Sequence, residues 1–118
     1  MRDFKQLSVW EKSHRLTLAV YKATSTFPRE ELYGLTSQIR RASASVPANI
    51  AEGCGRKGDA EFAQFCQIAM GSASELEYHF LLARDLGFME GSTYEVLNRD
   101  LIEVKRMLNV FIQKLRSN

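Results

Sequence analysis

Apolar residues along this chain recur at spacings of three and four in four separate stretches, the period of a helix buried along one side. In the first stretch Val9, Trp10, Leu16, Val20 and Tyr21 share a broad face, and Glu11, Lys12, Arg15 and Lys22 share the other. Ser8-Val9-Trp10-Glu11 reads as a capping box. Helix one is therefore expected over about 8–26, closed by Phe27-Pro28, because a residue before proline avoids the α conformation. In the second stretch Leu35, Ile39, Ala42, Val46 and Ile50 predict a helix over about 35–54. Pro47 lies inside it and removes the bond from its own amide to the Ser43 carbonyl, a cost of about 3 kcal/mol in a helix interior. The apolar period continues through Pro47, so a kink is expected rather than two short helices joined there. The run Ala42-Ser43-Ala44-Ser45 would let another helix approach closely, and Gly53, Gly55 and Gly58 end the segment.

The third stretch opens at Asp59, a good N-cap. Phe62, Phe65, Cys66, Ala69, Ala73, Leu76, Phe80 and Ala83 form one stripe, Ile68, Leu82 and Leu86 form a second, and the helix is expected over about 59–87. Ser92-Thr93-Tyr94-Glu95 reads as another capping box. It opens a fourth helix over about 92–116, with Leu97, Leu101, Val104, Leu108, Phe111 and Leu115 in a heptad seam. Strand signals are poor, and no Asn-Gly or Asp-Gly hairpin turn occurs. The expectation is an all-α protein, an antiparallel up-down-up-down four-helix bundle, built as a single domain over 1–118. Ile68, Leu82 and Leu86, together with Ile102, Val110 and Ile112 beside the fourth seam, exceed what one core needs. They predict a homo-oligomer surface.

Composition supports a packed core: 45% of the 118 residues are hydrophobic and 25% are charged. The net charge is only +2, but it is segregated. Residues 1–58 hold ten basic and five acidic groups, residues 59–95 hold one basic and seven acidic, and residues 96–118 hold five basic and two acidic. Helices of opposite sign are thus expected side by side, within a subunit or between subunits. Two cysteines outside any C-x-x-C pair, a first segment Met1-Arg2-Asp3-Phe4-Lys5 without the apolar core of a secretion signal, and no apolar run long enough for a bilayer predict a cytoplasmic protein with reduced thiols and no membrane partner.

Candidate chemistry is sparse. A di-iron bundle needs two Glu-x-x-His motifs; only Glu11-Lys12-Ser13-His14 matches, and His79 follows Glu75 by four. Cys54 stands between glycines at a helix C-terminus, where the dipole disfavours a thiolate, and Cys66 lies on an apolar stripe. Gly53-x-Gly55-x-x-Gly58 follows a helix rather than a strand and reads as a connecting loop. No enzyme, metal or cofactor is expected. On helix two, Gln38, Arg41, Ser45, Asn49 and Glu52 share a polar face, as do Ser72, Glu75 and His79 on helix three. Arg41 is placed to pair with Glu75, and the others to form a network. This stripe reads as a solvated face, as a buried or interfacial network that fixes helix register, or as a ligand site. Arg40, Arg41, Arg56, Lys57, Lys105 and Arg106, with Lys114 and Arg116, are the candidate phosphate contacts.

Leu7-Ser-Val-Trp10-Glu-Lys, Phe27-Pro, Tyr33-Gly-Leu35, Gln38-Ile-Arg40-Arg41-Ala42, Asn49-Ile-Ala-Glu52-Gly53 and Gly71-Ser72-x-x-Glu75-Leu-Glu77 form an ordered string over nearly the whole chain. In this the chain resembles the four-helix bundle family of 23S rRNA intervening-sequence proteins, which includes the accessory variability determinant of diversity-generating retroelements. The resemblance implies a homopentamer with a central channel and members mostly without established activity. It also implies, from the retroelement member, binding to a reverse transcriptase and nucleic acid through a basic surface. One departure is that this chain is only mildly basic and its third helix is acidic. The expected function is a non-enzymatic oligomeric scaffold or adaptor for RNA, DNA or a nucleic-acid enzyme. The alternative is a purely structural homo-oligomer with a protein partner and no nucleic-acid role.

Overall fold

The computed structural model describes residues 3–117. Met1 and Arg2 of the segment read for a secretion signal lie outside the described residues. A 3-10 turn over Phe4–Gln6 leads into α1 (Ser8–Thr24), and a second over Arg29–Glu31 precedes α2 (Leu35–Cys54). α3 (Asp59–Asp85) and α4 (Gly91–Arg116) complete the chain, and the described residues include no strand.

The helices start within one residue of the sequence expectation, but the caps of α1, α3 and α4 differ from it. α1 is capped by the backbone of Leu7, whose carbonyl accepts from the Glu11 amide at 3.0 Å, and the Ser8 side chain makes no cap. Here the Asp3 carboxylate accepts from the Lys5 amide at 3.1 Å and the 3-10 turn delivers Leu7 onto the core. Burial, rather than a side-chain cap, sets the entry. α4 starts at Gly91 with Glu90 as N-cap, behind the buried Met89, so Ser92 lies within the first turn. α3 is capped by Gly58 at φ 104°, which leaves Asp59 as first helical residue, a position where the helix dipole favours an acid.

α2 and α4 end where expected, whereas α1 and α3 end earlier. α1 stops at Thr24, whose carbonyl accepts from the Phe27 amide at 3.1 Å as the chain turns towards Pro28. α3 stops at Asp85 in a Schellman motif: the Phe88 amide reaches the Ala83 carbonyl at 2.9 Å and the Gly87 amide reaches Arg84 at 3.0 Å. Gly87 supplies the left-handed residue, with φ 79°.

Each helix packs against two others: α1 on α2, α2 on α3, α3 on α4, and α4 back on α1. Along α1 and α2, Thr17 meets Ser43 while Thr24 meets Arg40. Along α2 and α3, Ser45 meets Ser72, and Gly53 lies against Phe62 and Phe65. Along α3 and α4, Glu77 meets Lys105 and Arg84 stacks on Tyr94. Val20, Ile39, Ile50, Leu76, Phe80, Leu101, Val104 and Leu108 lose nearly all contact with water. Each such aliphatic or aromatic side chain contributes about 1.5–3 kcal/mol. On α4 the seam departs from the strict heptad. Ile112 is buried, while Phe111 is half-buried with its ring edge-on to Phe62 at 5.3 Å.

α2 continues through Pro47 as one helix rather than two. The Ser43 carbonyl that Pro47 leaves without its amide partner accepts from the Thr17 hydroxyl of α1 at 3.0 Å. That hydroxyl shares its single proton with the Ser13 carbonyl at 2.9 Å. A defect in one helix is thus satisfied by a buried side chain of its neighbour. Near the end of α2, a Cβ at Gly53 would stand 2.8 Å from both Phe62 and Phe65, so only glycine lets the two helices come this close.

Candidate functional site

The polar stripe of α2 divides into three parts. At its centre, Ser45 and Ser72 join hydroxyl to hydroxyl at 2.9 Å, and the Asn49 amide donates to the Ser45 carbonyl at 2.8 Å and hydroxyl at 2.9 Å. These three half-buried residues form a hydrogen-bonded network that links α2 to α3. At one end Glu52 leaves the network and pairs with Arg56 one turn on, at 3.3 Å. At the other end Gln38 and Arg41 are exposed and line an open groove with Tyr21, Ala44, Ala48 and Glu75. The expected pair between Arg41 and Glu75 is not among the ion pairs of the described residues. Glu75 instead lies 4.0 Å from Nδ1 of His79, which is buried and has no hydrogen-bond partner at that atom.

The candidate basic residues do not converge on one surface. Arg40 turns back to α1: its Nε donates to the Thr24 hydroxyl at 2.8 Å, its Nη2 to the Tyr21 carbonyl at 3.3 Å, and its guanidinium lies over the Tyr21 ring. It closes the C-terminal turn of α1, where a cation is favoured by the helix dipole. Lys105 pairs with Glu77 at 2.7 Å across α3 and α4. Arg106 is forked onto Glu103 of its own helix, with Nε contacts at 2.9 and 3.1 Å. The carboxylate is held below the usual range by this bond, and the guanidinium is raised by it. Arg56 lies over Phe65 beside its Glu52 pair, and Lys57 is exposed in the connecting loop. Lys114 and Arg116 are exposed in the last turn of α4.

The other reactive groups are absorbed by structure. Glu11 pairs with Arg15 at 2.8 Å, and His14 stacks on Trp10 with ring centres 4.9 Å apart. Among the described residues, no group of three or more His, Cys, Asp or Glu is placed to hold a metal ion. Cys54 and Cys66 are both buried and neither forms a disulfide. Burial pushes the Cys66 thiol up from 9.0 to about 12, and the neighbouring Cys54 adds to the effect. No helix among the described residues is long and apolar enough to cross a membrane.

Large apolar side chains face outward on α3 and α4. Ile68 on α3 is 53% exposed and Leu86, just after α3, 53%, and Ile102 is 45% and Val110 55% exposed on α4. Leu82 is half-buried against the core and Ile112 is fully inside it, so neither belongs to the surplus face. The sequence reading missed the exposed Leu18, Leu32 and Val96, as well as Tyr78 at 59% and the loop residue Tyr33 at 94% exposed. Tyr78 is detectable by spacing, since it falls on the Ile68 stripe. Tyr33 carries no such signal.

A model of the 23S rRNA-intervening sequence protein family matches residues 5–110. A solved structure similar to this chain is a protein of unknown function from the S23 ribosomal protein family of Bacteroides thetaiotaomicron. The two share 27% identity over 88% of this chain and 97% of the other, with a TM-score of 0.79. No curated protein matches this chain.

Proposed function

The chain belongs to the family of 23S rRNA-intervening sequence proteins, and from that premise we propose that it is a non-enzymatic scaffold or adaptor acting as a homopentamer. In this reading the four helices run up-down-up-down. Successive contacts support it, since residues later in one helix meet residues earlier in the next, as in Thr17 with Ser43 and Thr24 with Arg40. A bend of α2 at Pro47 belongs to the same reading, as the ordinary response to a lost amide bond. The buried, reduced thiols suit a cytoplasmic setting. The observation that carries the proposal is the outward apolar set Ile68, Tyr78, Ile102 and Val110 on helices whose cores are already complete. Large apolar side chains left exposed in this number fit contact with a partner.

RNA, DNA or a nucleic-acid enzyme is the proposed cargo, taken by Arg41, Arg56 and Lys57, three exposed cations of α2 and the loop that follows it. Assembly multiplies this small set into a ring of positive potential. Fluorescence anisotropy with a single-stranded RNA tests it. Affinity is expected to fall by ~10-fold or more between about 50 and 200 mM salt, and to drop at low salt in an Arg56→Ala/Lys57→Ala variant. Absence of binding at low salt, or a flat salt response, contradicts it. The ion pairing of Arg56, Lys105 and Arg106 within the chain favours a second reading, a structural homo-oligomer with a protein partner. On that reading Arg41→Ala alters assembly and RNA is not bound.

A further inference from the structure

Gly71 lies in the middle of α3, a helix of 27 residues, and a Cβ there would meet nothing within 4 Å. Glycine inside a helix is weaker than alanine because its backbone has more freedom to lose. At Gly53 the fold uses that glycine to seat Phe62 and Phe65 against the backbone. At Gly71 nothing of this chain is seated, and the bare backbone is open to the outside. Ile68 lies one turn before it and Tyr78 two turns after it on the same exposed stripe, which also carries Glu61 and Glu75. The acid on the inner side, Glu77, is already engaged by Lys105.

α4 carries a stripe of similar build and opposite sign. Arg99, Ile102, Arg106 and Val110 follow one another at helical spacing and are all exposed. Arg106 is steered by Glu103 through Nε and Nη2, and its guanidinium has further donors for a second carboxylate. We propose that the Gly71 face of α3 in one copy docks against the Arg99–Val110 face of α4 in the next copy; this rests on the oligomeric reading above and names its contact surfaces. Two α3 faces set against each other would bring Glu75 towards Glu75, and like charges suppress that pairing. The contact is therefore heterologous, with each copy offering one face of each kind, the arrangement from which closed rings are made. It also removes Arg106 from any nucleic-acid surface.

Sedimentation velocity over a concentration series tests the inference. The full chain is compared with Gly71→Gln, Glu75→Arg, Arg106→Glu and the double variant Glu75→Arg/Arg106→Glu, with circular dichroism as a check on folding. Each single variant is expected to raise the dissociation constant at least about tenfold, through a blocked backbone approach or opposed like charges, and the double variant to recover most of the loss. Gly71→Ala supplies a variant that strengthens the helix and still weakens assembly, so a loss of association is separable from a loss of fold. If the wild type assembles and all variants assemble equally well, the docking faces are wrong and the oligomeric reading stands. A wild type that stays monomeric throughout overturns both.

Discussion

A proline inside a helix removes one amide donor, and Pro47 removes the one that the Ser43 carbonyl would use. Thr17 supplies the replacement from α1 at 3.0 Å. Thr17→Val keeps the shape and deletes the donor, so it is expected to cost about 1–3 kcal/mol in denaturant unfolding. In a Pro47→Ala background the restored amide serves Ser43, and the same substitution should cost less. Equal costs in both backgrounds would show that the two residues are not coupled. The defect at Pro47 is legible in the sequence, because a missing amide is a local property. Its remedy is not, because Thr17 and Ser43 are 26 positions apart and only the packing of α1 on α2 joins them. Cys66 is a second case. Its apolar stripe marks it as core, and burial raises its thiol from 9.0 to about 12. The unfolded chain then releases this proton before the folded one does, so the contribution is intact below about pH 9 and is lost as pH rises towards 12. Unfolding free energy measured across that alkaline window should fall less steeply in Cys66→Ala than in the wild type. Parallel curves would contradict the assignment.

At the scale of the elements, periodicity predicts four helices and their buried faces, and the structure has them at closely similar positions. The capping boxes are a different matter. Ser8 and Ser92 carry the right spacing, yet Leu7 and Glu90 hold the caps, because the apolar residues just before each helix fix where the chain enters the core. The polar stripe was legible as a face but not as separate parts. Spacing aligns Arg41 with Glu75, but cannot foresee that Glu75 leans towards His79 or that Glu52 is taken by Arg56. Arg40 is the clearest case of a charge whose role changes with its surroundings. It binds the last turn of α1 through Thr24 and Tyr21. Arg40→Ala is therefore expected to lower stability by about 1–2 kcal/mol with RNA affinity unchanged. Lysine should recover little, since it lacks the planar fork. A variant with wild-type stability but weakened RNA binding would return Arg40 to the nucleic-acid surface.

For the whole molecule, charge segregation along the chain resolves into two scales. Lys105 and Glu77 use part of it inside the protomer. The rest is carried outward, acidic on α3 and basic on α4, beside apolar side chains that the internal core does not need. An isolated bundle gains nothing from exposing Ile68, Tyr78, Ile102 and Val110, whereas the proposed docking of α3 on α4 would bury them. The central claim is that this protein works as an oligomer of its bundle. Native mass in solution, measured by light scattering on a sizing column over a range of concentrations, tests that claim most directly. The account predicts five times the 13.5 kDa chain mass, and a mass of one chain at every concentration would contradict it.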